Sequence, residues 1–224
     1  MAFQGVVFDF NGTLFQDSDL HEKAWNQYAA LLGKPGYTSQ EFLDNFHGKT
    51  NSSIVGYLLG RQASLEECRW HGTQKEAVYR GFCRQNPERM VFTKGAEDLF
   101  GYLQAKGIPF GIATSADQGN IDFYLEVFQL ERWFSKESIV YDDGSLPSKP
   151  APDIYLRAAQ RIHCDIHQCL VFEDALMGIE SARNAGAKAI CAIAPTDWQV
   201  EQASRYKVHT AIRDFTFFDR STLD

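Results

Sequence analysis

Gly5-Val6-Val7-Phe8-Asp9-Phe10-Asn11-Gly12-Thr13-Leu14 is an apolar run that delivers one carboxylate and then turns on a glycine. Val6, Val7 and Phe8 read as a strand buried on both faces, and Gly12-Thr13 is turn chemistry at its carboxyl end. Ligands of open parallel sheets bind at that end, so the stretch predicts a strand whose tip presents Asp9 to a site. Taken alone, the same residues also describe an ordinary core strand with an aspartate in its loop. The rest of the chain decides between the two.

Leu20, Ala24, Tyr28 and Leu31 recur at helical spacing and stop at Gly33-Lys34-Pro35-Gly36, so one helix follows the first strand. Residues 37–86 stay helical and short-segmented, with pieces at 41–46, 54–59 and 64–84 and no strand-like alternation. Such a block reads as an insertion at 17–87, leaving 1–16 and 88–224 to form the sheet domain. Strand and helix then alternate. A stripe of Ala96, Leu99, Phe100 and Leu103 precedes a buried strand at 108–113 that finishes in Thr114-Ser115. A helix at 121–130, a short strand at 138–141 and the turn Asp142-Asp143-Gly144 follow. Next come Ser148-Lys149-Pro150, a helix carrying Ile154, Ala158 and Ile162, and a strand at 170–172 ending in Glu173-Asp174. A helix at 175–185, a strand at 187–193, a short amphipathic helix and an edge strand near Val208 complete the pattern. The fold class is α/β, a doubly wound parallel sheet of Rossmann type with an inserted helical domain.

The composition narrows the function. The 224 residues are 44% apolar, enough for one large core, and the net charge of −7 speaks against a phosphate-backbone binder, so nucleic acid is not an expected partner. Cys68, Cys83, Cys164, Cys169 and Cys191 are odd in number and lack metal-site spacing, so buried reduced thiols in a cytoplasmic protein are expected. His163, Cys164, His167 and Cys169 invite a zinc reading, but they lead directly into the core residues Leu170-Val171-Phe172 and fit a helix end and loop better. No run approaches the ~18 apolar residues a membrane helix needs, so no membrane partner is expected.

Four successive strands thus end in Asp9, Thr114, the Lys149 segment and Glu173-Asp174, and parallel topology brings those ends to one edge. Acids, a cation and a hydroxyl at one place suit phosphoryl transfer: a carboxylate nucleophile, a divalent cation held by oxygens, and donors around the phosphoryl group. Asp9 and Asp174 are the natural ligands for Mg2+.

These residues resemble, along almost the whole chain, the haloacid dehalogenase superfamily. Asp9-Phe10-Asn11-Gly12-Thr13 is similar to its first motif, Thr114-Ser115 to its second, Lys149 to its third and Glu173-Asp174 to its fourth. The resemblance implies that Asp9 is the nucleophile and that Asp9, the Asn11 carbonyl, Glu173 and Asp174 bind magnesium. It further implies that Thr114 and Lys149, with Gly12, Thr13 and Ser115, hold the phosphoryl group. The helical block resembles the small cap of the branch containing beta-phosphoglucomutase and phosphoglycolate phosphatase. In that branch the cap closes over the core and supplies substrate contacts, for which His21 and Lys49 (in His47-Gly48-Lys49-Thr50) are the candidates. The expected partner is a small phosphorylated metabolite, and the expected assembly a monomer or weak homodimer.

One position departs from the pattern. The family commonly carries a second aspartate two residues after the nucleophile, as a general acid and base, where this chain has Asn11. An amide positions oxygens but exchanges no proton near neutral pH. The readings are therefore a magnesium-dependent phosphatase, slow on ordinary esters unless Asp17, Asp19 or His21 replaces the acid; a phosphomutase; or a metabolite-binding protein that has lost turnover. Ala175, where the branch commonly has serine, is a lesser departure.

Overall fold

A computed structural model describes residues 3–47 and 49–223; Gly48, in the candidate cap loop, lies outside the described residues. Its centre is a six-stranded sheet built from β1 (Gly5–Phe8), β2 (Phe110–Asp117), β3 (Ile139–Asp142), β4 (Cys169–Glu173), β5 (Ala189–Ile193) and β6 (Thr210–Ile212). The order is β3-β2-β1-β4-β5-β6 and all five pairings are parallel. Connections run outward in both directions from β1, so the point where the winding reverses lies at the tip that carries Asp9.

Alternation along β1 feeds two cores. Val6 and Phe8 enter one apolar layer with Phe100, Phe172 and Phe215, while Val7 enters another with Ala158, Val171, Ile179 and Ile190. The Phe8 ring stacks on Phe172 at 5.2 Å and meets Phe100 edge-on at 5.4 Å. Helices α5 (Ala96–Lys106) and α6 (Gln118–Val127) contribute to the first layer. Helices α7 (Asp153–Arg161), α8 (Leu176–Asn184) and α9 (Asp197–Arg205) contribute to the second. A sheet covered on both faces explains why its strands read as continuous apolar runs.

Between β1 and β2 the chain forms α1 (Ser18–Leu31), α2 (Ser39–Asn45), α3 (Asn51–Leu59) and α4 (Leu65–Gln85). Capping boxes at Thr38/Glu41 and Ser64/Glu67 start α2 and α4. These helices hold an apolar cluster of their own that includes Trp25, Tyr28, Phe42, Phe46, Val55 and Leu58. The lower parts of α1 and α4 join the main core instead, through Leu20, Ala24, Tyr79 and Cys83.

Several boundaries differ from the sequence expectation. Strand β2 does not stop at residue 113 but runs through Thr114 and Ser115 to Asp117, with an irregular register against β3 between Ala113 and Asp117. Asp117 then caps α6 by accepting from the Asn120 N–H at 2.9 Å, so α6 begins earlier than expected. It also ends earlier, at Val127, because Gln129 adopts a left-handed φ of 49°. The edge strand lies at Thr210–Ile212, beyond Val208. Cys164 is only half-buried, contrary to the expectation for the thiols, and its Sγ donates to the Gln4 carbonyl at 3.1 Å. Among the described residues no helix is long and apolar enough to cross a membrane.

Candidate active site

Asp9 leaves β1 with its N–H bonded to the Phe172 carbonyl at 2.9 Å, which continues the β1–β4 ladder and fixes the carboxylate at the sheet edge. The Lys149 ammonium donates to Asp9 Oδ1 and to Glu173 Oε1, each at 2.6 Å, and is itself buried. Tyr155 donates to the same Glu173 oxygen at 3.1 Å. The other oxygen of Glu173 accepts from the N–H groups of Asp174 and Ala175, both at 2.7 Å, where α8 begins. Oxygens of Asp9, Glu173 and Asp174 lie within 4.8 Å of one another.

Two buried carboxylates share one ammonium, with the half-buried Asp174 beside them, and their protonation reflects it. Burial, the largest influence, pushes the Asp9 carboxyl up to about 7 against the pull of Lys149. Burial together with the charges of Glu173 and Asp9 raises Asp174 well above the usual carboxylate range. Lys149 is held above its ordinary value by Asp9 and Glu173 despite its burial. An excess of negative oxygen donors around one small space is what a hard divalent cation requires, so the residues present fit Mg2+. The backbone makes room for this set. A Cβ on Gly12, whose φ is 83°, would lie 2.2 Å from Asp174 Oδ2.

Asn11 is wired into a second network. Its amide nitrogen donates to Asp17 Oδ2 and to the Tyr124 hydroxyl, both at 2.7 Å, and its Oδ1 accepts from Thr114 Oγ1 at 3.3 Å. Asp17 is fully buried and also accepts from the Gly12 N–H and the Tyr79 hydroxyl. His21 lies with Nε2 3.3 Å from Asp17 Oδ2, and its Nδ1 faces the Lys75 ammonium at 2.6 Å. Lys75 also pairs with Glu76 at 2.9 Å, and Glu76 accepts from the amides of Asn51 at 2.8 Å and Asn120 at 2.7 Å. The chain of bonds therefore runs from Asn11 through α1 and α4 to α6.

A cavity of about 110 Å³ lies between these networks. Asp9, Asn11, Thr114, Ser115, Lys149, Glu173 and Asp174 line one end, as read from the sequence, and His21 and Lys49 also reach it. Gly12 and Thr13 do not line it. Thr13 is buried and donates to Asp174 Oδ1 at 3.2 Å, so both support a carboxylate where the sequence reading had them touching substrate. Sequence reasoning missed Lys75, Glu76, Asn51, Asn120, Tyr79, Tyr124 and Tyr155. One signal was available: Lys75 and Glu76 interrupt the stripe of Cys68, Gly72, Tyr79 and Cys83 that α4 buries. Charges on a buried stripe are partnered or functional.

Residues 3–186 match the model of the haloacid dehalogenase-like hydrolase family. The chain belongs to this family. Similar curated proteins of the hydrolase include Protein CbbY of Rhodobacter capsulatus, 29% identical over 205 residues, covering 85% of each chain. Fructose-1-phosphate phosphatase YqaB of Escherichia coli is 29% identical over 191 residues, covering 84% of this chain and 95% of that one. Among solved structures, a family IA, variant 3 hydrolase of this superfamily from Entamoeba histolytica superposes with a TM-score of 0.88 at 34% identity, covering 98% and 97% of the two chains. The hydrolase thus carries its acids and Lys149 on a fold shared over nearly its full length.

Proposed function

We propose that the chain is a Mg2+-dependent phosphatase that acts on a small phosphorylated sugar or polyol through an aspartyl-phosphate at Asp9. The observation that carries this is the placement of Asp9, where the winding of the sheet reverses, within reach of Lys149, Thr114 and two further acids. The names of the curated relatives, which include a fructose-1-phosphate phosphatase and a hexitol phosphatase, support the substrate class.

Lys149 holds Oδ1 of Asp9 and leaves Oδ2 to attack phosphorus. The new Oδ2–P bond forms as the ester P–O bond breaks, and water later cleaves the acyl phosphate to regenerate Asp9. Lys149, Thr114 and Ser115 orient the phosphoryl oxygens, and the helices over residues 17–87 act as a cap that limits water. Asp9, the Asn11 carbonyl, Glu173 and Asp174 would hold Mg2+, which supplies neutralising charge for the crowded carboxylates and the phosphoryl group. Asn11 cannot deliver a proton to the leaving oxygen, so esters with good leaving groups turn over fastest. A phosphomutase, which must protonate and deprotonate sugar hydroxyls in both half-reactions, fits Asn11 worst. Asn11 is also the observation that favours the second reading, a metabolite-binding protein without turnover.

Acid-quenched protein exposed to acetyl phosphate with Mg2+ gains one phosphoryl group, which peptide mapping locates on Asp9. Absence of the adduct with acetyl phosphate and with aryl phosphates overturns the covalent mechanism. A hydrolysis screen over the same donors and sugar phosphates separates enzyme from binder.

A further inference from the structure

The cavity has a reacting end at Asp9 and a far end formed by α1, α2, α3 and α4, and the far end is built without surplus charge. Its ionic groups are Glu22, Lys49, Lys75 and Glu76. Lys75 is committed to Glu76 at 2.9 Å and to His21 at 2.6 Å, with its side chain only 2% exposed. Lys49 turns its ammonium onto the Asp44 carbonyl at 2.7 Å. Glu22 lies in the lining with its Oε1 3.1 Å from His47 Nε2. Two cations and two acids thus cancel among the described residues there.

A leaving group that brings a phosphate or carboxylate to that end gives up hydration without meeting a net counter-charge, and it faces the Glu22 carboxylate. Hydroxyl groups fare differently. Glu22 accepts from them, Asn51 spends its Nδ2 on Glu76 and leaves its Oδ1, and Trp25 and Phe46 offer apolar wall to C–H faces. We propose that Glu22, oriented by His47, is a specificity-determining residue that selects substrates with an uncharged, polyhydroxylated leaving group and rejects those with a second anionic group. This rests on the phosphatase reading of the same cavity.

The test uses the full-length, Mg2+-loaded chain with glycerol 1-phosphate, sorbitol 6-phosphate, fructose 1,6-bisphosphate, phosphoglycolate and 4-nitrophenyl phosphate. Kinetics are paired with titration calorimetry of the same compounds, which ranks the tails whether or not they turn over. The neutral-tailed monophosphates should exceed the bisphosphate and the carboxylate by about a hundredfold in kcat/KM and in affinity. Glu22→Gln should narrow that ratio by about tenfold or more, and Glu22→Lys should reverse it, while 4-nitrophenyl phosphate turnover reports that each variant is folded. Equal or better handling of the bisphosphate or of phosphoglycolate overturns the proposal, as does a ratio indifferent to Glu22→Gln. Loss of turnover with every compound, alongside a preserved preference for neutral tails in calorimetry, overturns the phosphatase reading and leaves the selection standing.

Discussion

At the scale of single residues, the proposed hydrolysis turns on Asn11. Both of its amide hydrogens are committed, to Asp17 and to Tyr124, so its Oδ1 is turned toward Thr114. An aspartate at this position would lie against the Asp17 carboxylate, and the like charge would favour its protonated form, which is the form a general acid needs. Asn11→Asp is therefore expected to raise kcat for glycerol phosphate by about a hundredfold, with a much smaller gain for 4-nitrophenyl phosphate, whose leaving group needs no proton. A variant no faster on the alkyl ester would mean that another group already supplies the proton. Asp9, Thr114, Glu173 and Asp174 were legible because each follows or ends an apolar run, whereas Lys149, in a polar loop, was legible through the resemblance of its segment to the third family motif. Lys75 and Glu76 were not, because helix α4 is distant in sequence and only the folded structure shows that its buried stripe faces His21 and Asn120.

At the scale of elements, the start of α8 holds the acid of β4 in place. Glu173 tucks against Gly178, where an added Cβ would lie 1.5 Å from Oε1, and the helix cannot move away without losing the 2.7 Å bonds to the N–H groups of Asp174 and Ala175. Gly178→Ala should lower stability by about 1–3 kcal/mol, read as a shift of the urea midpoint, and should displace Glu173 from Lys149. Unchanged stability would show that the side chain has an alternative seat. The glycine alone carries no sign of this in the sequence. The helix α8 and the strand β4 were readable from their periodicities, but the close approach between them depends on one rotamer. Strand β2 shows the complementary case, since Thr114 and Ser115 read as the finish of the strand although it runs on to Asp117.

At the scale of the whole molecule, the parallel, doubly wound sheet was readable from the alternation of strand and helix, whereas the coupling between the inserted helices and the sheet was not. That coupling combines the apolar residues Leu20, Ala24, Tyr79 and Cys83 with a buried polar set around Glu76, which accepts from Asn120 of α6. Burial would push Glu76 up, but Lys75, His21 and the amides of Asn120 and Asn51 together hold it down to about 2, against the ordinary glutamate value of 4.5. A carboxyl depressed in the folded state adds stability above its unfolded pKa and loses it as pH falls through the folded one. Stability should therefore drop between about pH 4.5 and 2, by an amount on the order of 3 kcal/mol from this group. Glu76→Gln should flatten that part of the profile in equilibrium denaturation, and an unchanged slope would assign acid sensitivity elsewhere. A smaller contact has a consequence of another kind. Thr50 at the head of α3 meets Ser148 hydroxyl to hydroxyl at 2.8 Å, and Ser148 is the backbone neighbour of Lys149. The hydrogen bond is a tether: it ties the head of an inserted helix to the loop one peptide away from the ammonium that grips Asp9.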